Sequence, residues 1–167
     1  VISHTRELWL RSGRNISQRS QRHCRSGDIF ADSLRKCVIG PSTVLLLRSL
    51  FDEVGGFRED LEIAEDYELW LRICARNNVG YVDRELVIKR AGHQDQLSER
   101  YQQIEIFRLK ALQNLVGKKY FNTSQNLKAG VELARKARIY ANGCRKRGRQ
   151  NEADKYEAIA RRWPIEF

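Results

Sequence analysis

Two adjacent acidic residues, Glu65 and Asp66, begin the segment of this sequence that is best suited to chemistry. The apolar residues that follow recur at helical spacing, and they are Tyr67, Trp70, Leu71, Cys74 and Ala75. This spacing predicts an amphipathic helix with the acid pair in its first turn. Free backbone N–H groups and the helix dipole favour an ionised carboxylate there, which is the form that a general base requires. The two acids are also explained by simple stabilisation of a buried helix, and the spacing alone favours that explanation.

The elements that must position this helix are predicted from shorter patterns. A strand is predicted over residues 2–9 with a turn at Gly13, and a short helix over 27–37. A strand buried on both faces follows over 42–47, and then a short helix that begins with a capping box of Ser49 and Asp52 and ends at Gly55 and Gly56. Two short strands are predicted over 79–82 and 86–90. The arginine-rich stretch over residues 1–25, with His4 and His23, is predicted mainly as a solvated loop, with an acceptor or phosphate contact as the alternative.

The pattern changes to helical periodicity after Ser98. One helix is predicted from Ser98 to Gly117, a second from Ser124 to about Gly148, and a third over residues 150–163. The last two have the form of a helical hairpin. The chain is therefore divided into residues 1–97, which hold the acid pair, and an α-helical extension over residues 98–167.

Four blocks of the sequence, taken in order, resemble a known enzyme family. They are IGPSTVLLL at residues 39–47, VGGF at 54–57, EDYELWLR at 65–72, and KRAGH at 89–93 with QLS at 96–98. The series resembles the C-terminal half of the family 2 glycosyltransferases with the GT-A fold, over residues 1 to about 98. The resemblance implies an α/β fold, the C-terminal half of a GT-A-like nucleotide-diphospho-sugar transferase, followed by the helical extension.

The resemblance also implies roles for individual residues. Asp66 corresponds to the general base that deprotonates the acceptor hydroxyl in an inverting transfer. The substrate-binding residues would include Glu65, Gly55, Gly56, Trp70 and His93. In some relatives the matching histidine helps to bind the metal or the nucleotide phosphates, so His93 is also a candidate metal ligand, although a lone loop histidine is usually only solvated.

The implied partners are a nucleotide-diphospho-sugar donor and a saccharide or lipid-linked acceptor. The implied cofactor is a divalent metal, Mn or Mg, held mainly by an N-terminal half with an Asp-x-Asp motif, which this sequence lacks. The chain contains no Met, even at position 1, which predicts a fragment of a longer protein.

Composition limits the alternatives to this interpretation. The 167 residues carry a formal charge of +10, with 41% hydrophobic residues and no apolar run long enough to span a bilayer. Four well-separated cysteines suggest reduced, buried thiols in a cytoplasmic protein. The basic cluster between residues 135 and 149 predicts either a solvated helix face or peripheral contact with an anionic membrane, for example at the inner membrane face.

Two other classes of protein remain as alternatives. A basic nucleic-acid-binding protein would suit the charge, but the sequence has no RNP-type motif, zinc finger or recognition-helix pattern, and no nucleic-acid partner is expected. A non-catalytic remnant of a transferase, acting as an interaction module, would account for the missing half.

Overall fold

A computed structural model of the chain describes residues 1–17, 24–92 and 104–163. These residues fall into two compact units, residues 1–104 and 105–167. The first unit combines a sheet with helices and the second is helical, so the expectation of a mixed α/β chain is confirmed. The predicted boundary at residues 97 and 98 lies outside the described residues.

The first unit is built on a mixed four-stranded sheet. Its strands are β1 (Ile2–Arg11), β2 (Arg14–Ile16), β3 (Val44–Leu46) and β4 (Gly80–Ala91). β4 runs parallel to β1 along nearly its whole length, and β2 and β3 pair antiparallel with the two ends of β1. Since a strand has two edges, β2 and β3 share the edge of β1 opposite β4.

A β-bulge changes which residues of β1 are buried. The register with β4 shifts on both sides of Arg6, and the pairing moves from Thr5 with Val82 to Arg6 with Glu85. β1 buries His4 and then Glu7, three positions apart, where a regular strand repeats every two. The prediction of two strands around residues 83 and 84 is therefore wrong, because these residues lie in the bulged part of one strand.

The predicted strand over residues 42–47 is only partly correct. A 3₁₀ turn, Pro41–Thr43, occupies its start, with the proline at a position that needs no backbone N–H. β3 itself has three residues, and Leu45 is 76% exposed. Burial on both faces was wrong because, within the described residues, β3 pairs with β1 alone and is an edge strand.

The described residues of the first unit also form three α-helices. They are α1 (Phe30–Arg35), α2 (Arg48–Glu53) and α3 (Glu65–Cys74). The apolar stripe of α3 packs against α1 and the residues after it: the Tyr67 hydroxyl donates to Leu34 O at 2.7 Å, and Trp70 Nε1 donates to Ile39 O at 3.1 Å. The predicted amphipathic helix, with its acids in the first turn, is confirmed.

The predicted capping box of α2 is wrong. The residue before the helix is Leu47, and no side chain caps it. Both carboxylate oxygens of Asp52 instead accept from Arg48 Nε, each at 2.9 Å, so the two residues form a surface i,i+4 pair within the helix.

A buried ion pair joins α3 to the turn after α2. Glu68 and Arg72 are 1% and 4% exposed, and their side chains meet at 2.6 Å. The same guanidinium donates to Gly56 O at 2.7 Å and to Val54 O. Gly56 has a φ of +63°, and a Cβ there would lie 3.1 Å from the Phe51 ring, so the turn requires glycine at this position.

The second unit contains three helices, α4 (Ile104–Leu115), α5 (Thr123–Lys146) and α6 (Gln150–Ala160). Asn122 and Gln125 form the capping box of α5, which begins at Thr123, so the predicted start at Ser124 was one residue late. Fully buried alanines on α5 and α6, such as Ala137 and Ala153, allow the helical hairpin to pack closely. Ser98, the predicted start of the first helix, lies outside the described residues.

The basic cluster of the hairpin is largely neutralised by acids. Lys136 is 5% exposed and lies 2.9 Å from Glu105. Arg135, Arg145 and Arg149 pair with Glu132, Glu157 and Glu152 respectively. These charges therefore stabilise the helical unit, and Lys136 does not belong to a solvated or membrane-facing surface.

Removing Arg72 should unfold the first unit far more readily than removing an exposed arginine. Arg72→Leu leaves the buried Glu68 carboxylate and two backbone carbonyls without their donor, and it should lower the free energy of unfolding by about 3–5 kcal/mol. Arg48→Leu is the matched control, because it breaks an i,i+4 pair at the surface and should cost about 1 kcal/mol or less. Urea unfolding followed by tryptophan fluorescence measures both, and equal losses would contradict the role given to the buried pair.

Candidate functional site

Asp66 is held in the first turn of α3 by two contacts. Its Oδ1 accepts from the Tyr67 backbone N–H at 2.6 Å, and its Oδ2 lies 3.4 Å from the Cys37 thiol. Both Glu65 and Asp66 are half-buried, so solvent still reaches them. The carboxylate is thus oriented by the fold without being sealed inside it.

The residue before the acid pair has an unusual backbone conformation. Ala64 has a φ of +67° and a buried side chain. A non-glycine residue in this region costs about 1–2 kcal/mol, and such residues concentrate at functional sites. The strained turn fixes the direction in which the chain enters α3, and with it the position of Asp66.

The other predicted site residues that the structure describes are Trp70, Gly55 and Gly56. Trp70 is 3% exposed, its N–H bonds to Ile39 O, and its ring packs edge-on against Phe57. Gly56 is tied to α3 through Arg72, as described above, and the neighbouring Gly55 is exposed. Trp70 is thus a buried packing residue of α3.

His93, the candidate metal ligand, lies outside the described residues. Within residues 1–17, 24–92 and 104–163, no group of three or more His, Cys, Asp or Glu side chains is arranged to hold a metal ion.

A pocket of about 750 Å³ lies beside the sheet, and sequence reasoning did not predict it. Its volume falls within the range of about 300–1,000 Å³ that is usual for ligand sites. Its lining includes His4, Glu7, Trp9, Arg25, Gly40 and Tyr81. The sequence feature that could have indicated the pocket is Glu7 with Trp9, two residues apart in a predicted strand. The surrounding arginines suggested a solvated loop instead.

Glu7 is the buried carboxylate of this pocket. It is 6% exposed, and its Oε1 accepts from Trp9 Nε1 at 2.6 Å. Gly40 lies opposite, where a Cβ would be only 3.2 Å from Glu7 Oε2. The glycine therefore leaves space for the carboxylate.

His4 is buried in the same pocket, so its assignment to a solvated loop was wrong. Its Nε2 lies 2.8 Å from Arg25 O, and its ring centroid is 5.0 Å from that of Tyr81. Burial lowers the pKa of His4, although the Arg25 hydrogen bond and the charge of Glu7 act in the opposite direction. A neutral ring that donates from Nε2 to the carbonyl fits this environment.

One chain segment separates the pocket from Asp66. Val38, Gly40 and Thr43 line the pocket, whereas the Cys37 thiol and the Ile39 carbonyl contact α3. Residues 37 and 39 thus contact α3 while residues 38 and 40 line the pocket, which is the alternation expected for an extended chain. A displacement of this segment would affect both carboxylates.

The four cysteines are free, but they differ in environment. Cys74 and Cys144 are buried, as predicted for structural thiols, whereas Cys24 is exposed. Burial raises the pKa of Cys74 to about 12, although its hydrogen bond with Ser33 acts in the opposite direction. Cys74 is therefore an unreactive thiol at neutral pH.

Comparison with known proteins identifies two similar bacterial sequences. An uncharacterized glycosyltransferase of Rickettsia felis and another of Rickettsia conorii are each 36% identical to this chain over 61 residues. The matched segment covers 36% of this chain and 10% of each relative, so the chain matches about a tenth of the length of these relatives. No family model matches the chain, and no solved structure does.

None of the helices in the described ranges is both long and apolar enough to cross a membrane.

Lowering the pH should destabilise the first unit through His4. Because the folded pKa lies below the unfolded value of about 6.5, the unfolded state binds more protons in the interval between them. The free energy of unfolding should therefore fall as the pH is lowered through about 6.5. Urea titrations at several pH values measure this decline, and His4→Gln should make it shallower. His23 and His93 are present in both proteins, so the difference between the two curves isolates His4; identical curves would contradict the prediction.

Proposed function

We propose that this chain is part of an inverting glycosyltransferase, in which a sugar passes from a nucleotide-diphospho-sugar to an acceptor hydroxyl and Asp66 is the general base. The proposal includes a GT-A-like C-terminal half as the fold of the first unit. The observation that carries it is the oriented, half-buried Asp66 carboxylate, in a chain that is similar over 61 residues to two uncharacterized glycosyltransferases.

The reaction requires a group that takes up one proton. A hydroxyl is a poor nucleophile until its proton is removed, and a carboxylate within hydrogen-bond distance can accept it. The acceptor oxygen forms a bond to the anomeric carbon, the bond from that carbon to the diphosphate breaks, and the proton passes to Asp66. Inversion follows from this single displacement.

The contacts of Asp66 suit this role. The Tyr67 N–H fixes Oδ1, so the carboxylate keeps one orientation. Oδ2 faces the Cys37 thiol, a weak donor that an acceptor hydroxyl can replace. Glu65, half-buried beside it, is proposed as a substrate contact together with Gly55 and Gly56.

We assign the donor diphosphate and its Mn or Mg ion mainly to a nucleotide-binding half outside this chain. A divalent ion bound there would stabilise the leaving diphosphate as a Lewis acid. The described residues supply no metal-binding cluster of their own, and His93 is retained in the proposal as an auxiliary contact.

Replacing the proposed base should stop turnover without unfolding the protein. Asp66→Asn keeps the size of the side chain and an oxygen for the Tyr67 N–H, but it cannot accept the proton. In a protein that joins this chain to a nucleotide-binding half, kcat should fall by on the order of 10² to 10⁴, with donor binding nearly unchanged. Transfer is measured by mass spectrometry of the product, with UDP-, GDP- and dTDP-sugars as donors.

Glu65→Gln is the matched control for this experiment. It removes the neighbouring charge from the same helical turn and should reduce kcat much less. If Asp66 only stabilises the helix, Asp66→Asn should cost about 1 kcal/mol or less in stability and leave kcat nearly intact, which would end its assignment as the base.

The chain alone should bind nucleotide sugars weakly, because the proposal places the donor site elsewhere. Calorimetric titration of the 167-residue chain with nucleotide-diphospho-sugars and Mn²⁺ should show no saturable binding in the micromolar range. A micromolar signal would show that the donor site lies within this chain.

A further inference from the structure

We infer that the face of the sheet opposite the pocket is a docking surface for an anionic lipid bilayer. This surface, called the open face below, consists of Leu45 of β3 with Val82, Leu86, Ile88 and Arg90 of β4. Its aliphatic side chains enter the interfacial region of the bilayer, and its arginine lies against the lipid headgroups. The inference stands on the sheet alone and does not rest on Asp66 as the base.

The register of the sheet places these residues on one face. Successive side chains of a strand point to opposite sides, and two contacts mark the side that holds the pocket. His4 contacts its β4 partner Tyr81, and Lys89 lies over the ring of its β1 partner Trp9. The residues of the open face alternate with these positions: Leu45 pairs with the neighbour of His4, Val82 follows Tyr81, and Leu86, Ile88 and Arg90 lie one or three residues from Lys89.

The four aliphatic side chains of the open face are between 41% and 76% exposed. The opposite side of the same strands is buried, as His4 and Glu7 show. β1 and β4 run parallel, and parallel strands are normally covered on both faces. Exposed aliphatic residues that share one face of a sheet mark a site of interaction with a protein or a membrane.

The charge on and beside the open face is positive. The two acids of β4, Asp83 and Glu85, both bind the Arg6 guanidinium, at 3.1 and 3.2 Å. Arg84, between these acids, and Arg90 are exposed, and neither is paired with an acid among the described residues. An anionic partner is therefore the one that matches this surface.

The charges favour a bilayer over a second copy of the chain or a protein of another kind. Two open faces packed together would bring Arg84 and Arg90 of one copy against those of the other, and like charges repel. A protein partner would need acids at fixed positions opposite both arginines. Anionic lipid headgroups move to the arginines, and burial of the aliphatic side chains adds to the affinity.

The helical hairpin is a weaker candidate for the same contact. Its basic residues are largely paired with acids of their own unit, as Arg135 is with Glu132 and Arg145 with Glu157. The structure thus moves the expected membrane contact from the hairpin to the sheet.

Co-sedimentation of the 167-residue chain with extruded vesicles tests the inference. The vesicles are pure phosphatidylcholine, or phosphatidylcholine in which one lipid in four is phosphatidylglycerol. The chain should bind the anionic vesicles about tenfold or more tightly than the neutral ones, because basic residues are attracted to an anionic surface. This binding should weaken when the ionic strength rises from about 0.01 M to about 0.15 M, which shortens the Debye length from about 30 Å to about 8 Å.

Two double variants separate the apolar and the charged contributions. Leu86→Thr with Ile88→Thr removes aliphatic surface but keeps residues that favour a strand, and it should weaken binding to anionic vesicles by about tenfold or more. Arg84→Gln with Arg90→Gln should also weaken that binding by about tenfold or more.

Matched controls make the same kinds of change elsewhere in the chain. Leu127→Thr with Ile139→Thr removes two exposed aliphatic side chains of α5, and Arg48→Gln with Arg161→Gln removes the same total charge as the arginine variant. Both controls should leave vesicle binding nearly unchanged.

Circular dichroism and thermal unfolding establish that each variant is folded before its binding is compared. Equal binding to both kinds of vesicle, or equal losses in the open-face and control variants, would overturn the inference. Absence of binding to anionic vesicles would overturn it in favour of a protein partner. A stable dimer in light scattering that Leu86→Thr with Ile88→Thr dissociates would assign the face to a second copy instead. No nucleotide sugar or turnover is involved, so failure here is distinct from failure of Asp66 as the base.

Discussion

The buried ion pair of Glu68 and Arg72 is the constraint on which the first unit depends. Two charges removed from water must satisfy each other and their remaining hydrogen bonds, or the fold loses several kcal/mol. Arg72 meets this requirement by binding Glu68, Val54 O and Gly56 O together, which fixes α3 against the turn after α2. Because α3 is one rigid helix, this also fixes the first turn, where Asp66 begins about 9 Å away along the axis. The anchored end of α3 thus determines where Asp66 can lie.

The helices were the most predictable part of the fold, since apolar residues at helical spacing locate α3 directly. The buried ion pair was not predictable by the same means. Arg48 with Asp52 and Glu68 with Arg72 have the same i,i+4 spacing, yet the first pair is at the surface and the second is buried. The i,i+4 spacing shows that two side chains can meet on a helix, but not whether they are buried. Burial depends on what packs over the pair, and here the turn at residues 54–56, which is distant in sequence from α3, covers Glu68 and Arg72.

The sheet and the pocket were harder to predict because they depend on pairing between distant segments. β4 was divided in two at its charged residues, because a bulge within one strand and a break between two strands have similar sequence patterns. Glu7 and His4 were placed in a solvated arginine-rich stretch, but pairing of β1 with β4 and contact with the loop at Gly40 bury them. Local sequence patterns therefore indicated the acid pair of α3 but not the buried Glu7 carboxylate.

The carboxylates of Asp66 and Glu7 lie in different environments. Asp66 is half-buried, and a weak thiol contact faces one of its oxygens, so exchange of that contact for a hydroxyl costs little. Glu7 is almost fully buried, and the Trp9 indole N–H donates to it at 2.6 Å. Residues 37–43 contact both sites, with Cys37 toward Asp66 and Gly40 toward Glu7. Because the Tyr67 N–H orients Asp66 from within α3, a shift of residues 37–43 would change the thiol contact at Asp66 Oδ2 and the space around Glu7, and would leave the orientation of Asp66 to the helix itself.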